Sequence, residues 1–139
     1  MRAGAAYGGE AESVPAARDF VTGALARAQE AYGIVVPSRV VGVAQLVVSE
    51  LVTNACKYAP GPCGVEVEIT GTLLQITVRD SNPALPIPQA PGPGRVGQHG
   101  LELVLALCEG IEIQREPVGK RITTRITVAP AAEQAARSR

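Results

Sequence analysis

Glu50 and Asn54 stand four residues apart in Glu50-Leu51-Val52-Thr53-Asn54, inside a segment whose apolar residues recur at helical spacing. Both therefore project from one side of a helix, about a turn from each other. A carboxylate so placed can take a proton from a hydroxyl nucleophile. An amide oxygen beside it can complete an octahedral Mg²⁺ shell that keeps several waters and substrate phosphates. Thr53 and Lys57 lie alongside. The spacing alone fits a solvent-facing stripe of an amphipathic helix equally well. Asp80 closes an alternating apolar segment and precedes a long loop. A carboxylate there either forms a turn or, when buried, accepts a hydrogen bond from an exocyclic amine such as that of adenine. Gly97-Gln98-His99-Gly100 runs into an apolar helical segment at Leu101. Unpaired N–H groups and the positive dipole end at such a helix start can cradle phosphate, and glycines allow close approach. His99, the only histidine, is either a loop surface residue or a ligand contact.

Periodicity supplies the scaffold for these residues. Ser13 is placed to cap a first helix, Pro15 is tolerated in its first turn, and Gly33 ends it. Phe20, Ala24, Ala28 and Ala31, widened by Val21 and Leu25, form its apolar stripe. Pro37-Ser38 opens a second helix, where Val40, Val43, Val47 and Leu51 lead to Tyr58 before Pro60-Gly61-Pro62 stops it. Residues 63–70 alternate, with Val65, Val67 and Ile69 on one face, and after Gly71-Thr72 the pattern continues through Leu74, Ile76 and Val78. That predicts an antiparallel hairpin. The loop 81–100 is rich in proline and glycine, and its prolines predict a stiff lid. Leu101, Leu103, Val104, Leu105 and Leu107 predict a third helix. Residues 111–116 and 121–128 predict a second hairpin across Pro117-Val118-Gly119-Lys120. Lys120 there could reach a phosphate, but a lysine in a hairpin turn is usually solvated, and it is not counted among the site residues. The expected fold is α+β, a two-layer sandwich in which three helices cover one face of a mixed, mostly antiparallel sheet. Residues 1–12 are expected to be a tail or a short edge strand, 13–128 the domain, and 129–139 a disordered tail.

Composition narrows the function classes. The 139 residues carry 13 Lys+Arg against 13 Asp+Glu, which argues against a dominantly basic nucleic-acid binder. Phe20, Tyr7, Tyr32 and Tyr58 are the only aromatics, so the core must be aliphatic and base-stacking platforms have little raw material. Cys56, Cys63 and Cys108 form no C-x-x-C pair and are odd in number, which fits a reducing cytoplasm better than a disulfide framework or a zinc site. Neither a signal-like apolar run nor an unbroken stretch of about 18 apolar residues is present, so no membrane association is expected.

The order of these features resembles the Bergerat-type (GHKL, histidine kinase-like) ATP-binding domain. More narrowly it resembles the stand-alone anti-sigma-factor serine/threonine kinases of actinobacterial type. Glu50-Leu51-Val52-Thr53-Asn54-Ala55, preceded by Val47-Val48-Ser49, is similar to the N box. Val78-Arg79-Asp80-Ser81-Asn82-Pro83 with Leu85-Pro86 is similar to that branch's first glycine box, and Gly100-Leu101-Glu102-Leu103-Val104 to the second. The resemblance implies ATP and Mg²⁺ as cofactors, Glu50 as general base, Asn54 as Mg²⁺ ligand and Asp80 as adenine anchor. Gly97, His99, Gly100 and Leu101 would make the phosphate-side contacts. It further implies transfer of the ATP γ-phosphoryl group to a Ser/Thr of an anti-sigma-factor antagonist of STAS type, with a sigma factor as a further partner and a homodimer left open. Three departures accompany it: Asn82-Pro83 replace the glycines of D-x-G-x-G, Gln98 replaces the first glycine of the second box, and Gly119-Lys120 replace a closing Gly-Thr. They leave a second reading open, a non-catalytic nucleotide-sensing module that sequesters a regulatory partner.

Overall fold

A computed structural model describes residues 1–58, 61–81, 104 and 106–128. Strand β1 (Arg2–Tyr7) is followed by helices α1 (Ser13–Tyr32) and α2 (Ser38–Tyr58), the hairpin β2 (Cys63–Thr70) and β3 (Leu73–Asp80), and the hairpin β4 (Gly110–Arg115) and β5 (Lys120–Thr127). The five strands form one sheet in the order β1-β2-β3-β5-β4. Every described pairing is antiparallel, so the sheet expected to be mixed is uniform. The α+β two-layer arrangement is as expected, with α1 packed over β1 and β2 and α2 over β2, β3 and β5. Of the third helix, Val104, Ala106 and Leu107 are helical, and the Cys108 N–H donates to the Val104 carbonyl at 3.1 Å. The rest of that helix, the proline-rich loop beyond Ser81 and the tail after Val128 lie outside the described residues.

Local chemistry explains where the elements begin and end. Gly33 adopts the left-handed conformation (φ 65°) that closes α1, and both its N–H and that of Ile34 bond to the Ala28 carbonyl. At the other end the cap differs from expectation. Glu12 holds the N-cap position without a side-chain bond, while Ser13 is already helical and buried. The Ser13 N–H is instead satisfied by the Glu10 carbonyl at 2.9 Å, a turn that leaves its hydroxyl no capping role. Strand β1 resolves the question over the N-terminal residues. It pairs along the whole of Arg2–Tyr7 with β2, and Met1 and Ile69 exchange two further bonds. Its Ala- and Gly-rich sequence has little intrinsic strand preference, so the exposed edge of β2 imposes the conformation.

The core is aliphatic. Val40, Ala44, Val47, Val48, Leu51, Val52 and Ala55 of α2 meet Val65, Val67, Leu74, Ile76, Val78, Ile122 and Ile126 of the sheet. By length and hydropathy alone, residues 38–57 would suffice to cross a membrane, but here the sheet and α1 cover that apolar stripe. Thr124 is fully buried, and its hydroxyl donates to the Ile76 carbonyl at 3.2 Å. The opposite face of the sheet is charged: Arg79 pairs with Glu66 at 3.2 Å and Arg125 with Glu112 at 2.9 Å. Leu51 lies at the centre of the helix–sheet contact, so Leu51→Ala should destabilise the fold by about 2–5 kcal/mol in urea denaturation. Val118→Ala, at a 78% exposed position, should change stability by less than about 0.5 kcal/mol.

Candidate functional site

Helix α2 packs its apolar residues so fully against the sheet that its polar residues fall on the rim of the contact. Leu51, Val52 and Ala55 are buried, whereas Ser49, Glu50, Thr53 and Asn54 are half-buried. The i to i+4 spacing puts Glu50 and Asn54 on the same flank of α2. Glu50 makes no ion pair among the described residues. Among the described residues, the Oδ1 atom of Asn54 is buried and finds no hydrogen-bond partner, and the same holds for the Ser49 hydroxyl. A buried acceptor left unsatisfied costs about 1–3 kcal/mol, so its persistence on this helix is a cost that a ligand can relieve. A carbonyl-type oxygen is also the donor that Mg²⁺ prefers.

A second group of residues converges where β3 ends. Asp80 and Lys120 face each other across the β3–β5 ladder, and both point to the helix-covered side. Lys120 Nζ lies 2.6 Å from Asp80 Oδ2, with the side chains only 7% and 4% exposed. Gly119, at φ 87°, permits this approach, because a Cβ there would collide with the Asp80 carbonyl. Ser81 Oγ donates to the Pro62 carbonyl at 2.9 Å and ties the end of β3 to the entry of β2. Gly9 passes so close to Gly61 that a side chain would strike its carbonyl, which brings the exit of β1 to the same corner. Cys63 opens β2 in this corner, and burial first, then the charges of Cys56 and Asp80, push its thiol up from the usual range.

Lys120 corrects the sequence expectation. The strand β5 starts one residue earlier than its hydrophobic pattern suggested, so Lys120 is the first ladder residue and not a solvated turn residue. The signal was present in the alternation itself: counting back by twos from Thr124 and Ile122 reaches Lys120 on the inward face. Asp80 is buried as a ligand contact requires, but its carboxylate already holds a cation. Gly97, His99, Gly100 and Leu101 lie outside the described residues.

A family model described as the histidine kinase-like ATPase domain matches residues 9–126. The chain belongs to that family. Among solved structures it is similar to the RsbU and RsbW domains of Rv1364c from Mycobacterium tuberculosis, with a TM-score of 0.68 at 16% identity over 92% of this chain and 32% of that one. It is also similar to the Erythrobacter litoralis EL346 blue-light activated histidine kinase, with a TM-score of 0.50 at 25% identity over 72% of this chain and 33% of that one. The chain thus spans about a third of the length of each. No match is found among curated proteins.

For a histidine kinase-like ATPase, the two ends of the site differ in how they fit nucleotide and metal. The α2 end fits: among the described residues Asn54 Oδ1 is an unsatisfied oxygen one turn from a carboxylate. The β3–β5 end presents a closed ion pair. Breaking a buried pair by removing one partner strands a charge and typically costs about 3–5 kcal/mol, whereas replacing both with apolar groups is often close to neutral. Lys120→Ala and Asp80→Ala should each show a loss of that size in denaturant titrations, and Asp80→Leu combined with Lys120→Met should lose less than either. The thiols offer a pH test of the neighbouring helix end. Burial, with Glu109 beside it, pushes Cys108 up to about 11, so the thiol form dominates below that pH and the reactive thiolate appears only as pH rises towards it. Iodoacetamide labelling of Cys108, followed by peptide mass mapping, should accelerate roughly tenfold per pH unit between about pH 7 and pH 10.

Proposed function

We propose that this chain is an ATP- and Mg²⁺-dependent protein serine/threonine kinase of the anti-sigma-factor type, acting on a STAS-type antagonist in the cytoplasm. The observation that carries the reading is Asn54 Oδ1, buried and unpartnered among the described residues, standing one helical turn from Glu50. Membership of the histidine kinase-like ATPase family supports ATP as the phosphoryl donor. The similar structure from Mycobacterium tuberculosis contains an RsbU domain beside its RsbW domain, which supports a regulatory protein partner for this fold. The three free cysteines accord with a reducing compartment.

In this reading Asn54 Oδ1 and phosphate oxygens would hold Mg²⁺, which neutralises charge on the transferring group when bound. Glu50 accepts the proton of the partner's hydroxyl as that oxygen bonds to the γ-phosphorus and the β–γ bridging oxygen departs with ADP. Leu51 and Val52, packed beneath it, fix the helix and so hold the carboxylate in place. Gly97, His99, Gly100 and Leu101 would contact the phosphates. Asp80 would face the base, with Lys120 beside it.

The Asp80–Lys120 pair also favours a second reading, a nucleotide-sensing module that binds its partner without chemistry, because a weakened base contact suits reversible sensing better than turnover. Radiolabelled ATP with a panel of STAS-type proteins separates the two. The kinase reading expects transfer by the native chain, and Glu50→Gln should reduce its rate by roughly 10²–10⁴-fold while leaving the ATP-induced thermal shift in place. Measurable ATP binding with no transfer to any panel member would leave the sensing module as the function.

A further inference from the structure

We propose that the open face of the sheet is an interface with a second copy of this chain, the two-fold axis running along β3. It involves none of the residues of the candidate nucleotide site. Both long helices pack on the other side of the sheet, so among the described residues this face has no covering element. Its charges are ordered by strand. β2 turns Glu66 and Glu68 outward, β5 turns Arg121 and Arg125 outward, and β3 between them carries Gln75 and Thr77. A rotation about β3 therefore lays the acidic strand of one copy over the basic strand of the other. Such an isologous contact is self-complementary by symmetry. Glu68 and Arg125 stand in one row on either side of Gln75, so each Glu68 meets the partner's Arg125. Glu66 comes to lie over Thr123, between the two arginines of β5. Arg121, which makes no ion pair among the described residues, gains a carboxylate there.

Side-chain size follows the same order. Gly4, Gly64 and Gly110 point to the open face within the ladders. None has the left-handed backbone that requires glycine, and a Cβ on any of them would meet no atom closer than 3.5 Å. The fold of one chain thus has no need of glycine there, and each one weakens its strand. Glycine inside a strand commonly marks the close approach of another chain or ligand. Rotation about β3 sets Gly64 against Arg121, Gly4 against Glu112 and Gly110 against Arg2, so the long side chains of one copy enter the gaps of the other. Arg79 meets its own copy on the axis, but Glu66 at 3.2 Å and Glu116 at 3.7 Å already flank its guanidinium. Five strands about 4.8 Å apart and roughly 20 Å long bury about 1,000 Å² over both copies, the lower edge for a specific interface. The dimer is therefore reversible and, being held by solvated charges, sensitive to salt.

The test is sedimentation velocity of the full chain over a concentration series, on the native protein and on Gly64→Lys, Glu68→Arg and Arg125→Glu. The native chain should dimerise reversibly, with a Kd that rises roughly tenfold or more between about 50 mM and about 500 mM NaCl. Gly64→Lys sets bulk and like charge against Arg121 and should abolish the dimer without lowering Tm, because its Cβ has room. Each charge reversal alone should weaken the dimer by roughly tenfold or more. The two reversed chains mixed in equal amounts should regain it, since their heterodimer matches a carboxylate with a guanidinium at both contacts. That rescue arises between chains, so a change within either chain does not imitate it. A native chain that stays monomeric up to about 1 mM leaves the face to a different partner and overturns the proposal. A dimer that survives all three variants, or a mixture that gains nothing over the single reversals, overturns it as well. Should a reversed chain fail to fold, as judged by far-UV circular dichroism, Gly64→Lys and the salt dependence decide.

Discussion

A sheet with one charged face has a single side on which to bury its Val, Ile and Leu, and α2 is the element that covers most of it. That constraint organises the molecule. Residues 40, 44, 47, 48, 51, 52 and 55 are all drawn into the contact, which fixes the rotation of α2 and forces its polar residues to the rim. Glu50 and Asn54 are held at the boundary between core and solvent because their neighbours have no other place to go. A hydrophobic interface thus does the positioning that a catalytic or metal-binding group requires, and the side chains themselves need no supporting hydrogen bonds.

The ion pairs of this protein divide sharply by environment. Those on the open face, such as Arg2 with Glu66 and Arg79 with Glu116, are solvated and spread over a grid of alternating charge, where each contributes little. Asp80 and Lys120 lie on the covered face, and the same chemistry there has far larger consequences, because neither charge has water to fall back on. Gly119 is what makes the pair geometrically available, and Ser81 bonded to Pro62 holds the strand end that carries it. The corner where β1, β2 and β3 meet is correspondingly the most constrained part of the described backbone, with close glycine approaches at both residues 9 and 119.

Periodicity made most of this legible from the sequence. Residues 63–70 alternate without a break, and the strand found there has the same bounds; α2 likewise runs from its Pro-Ser start signal to Tyr58. Glu50 and Asn54 could be read because a helix converts spacing into geometry. What escaped was decided by pairing and not by pattern. Strand β1 has no branched residues to announce it and exists because β2 offers an unpaired edge. At Lys120 a one-residue difference at the strand boundary, in a structure of period two, inverts the side chain's destination from solvent to core. A buried lysine is uncommon, and a partner forty residues earlier in the chain, Asp80, helps make this one tenable.

The absence of net charge gives the arrangement a further meaning. With 13 basic and 13 acidic residues the chain has no overall field to gather an anionic ligand, so recognition depends on local groups. Those groups are unlike at the two ends of the candidate site. At the α2 end, among the described residues, an oxygen is buried without a partner beside a carboxylate that makes no ion pair, an environment that draws cations and, through them, phosphates. At the β3–β5 end the charges cancel within 2.6 Å and offer no net attraction. On the proposed function, a nucleotide would therefore be oriented chiefly by its polyphosphate and metal at the α2 end, and not by charge at the β3–β5 end.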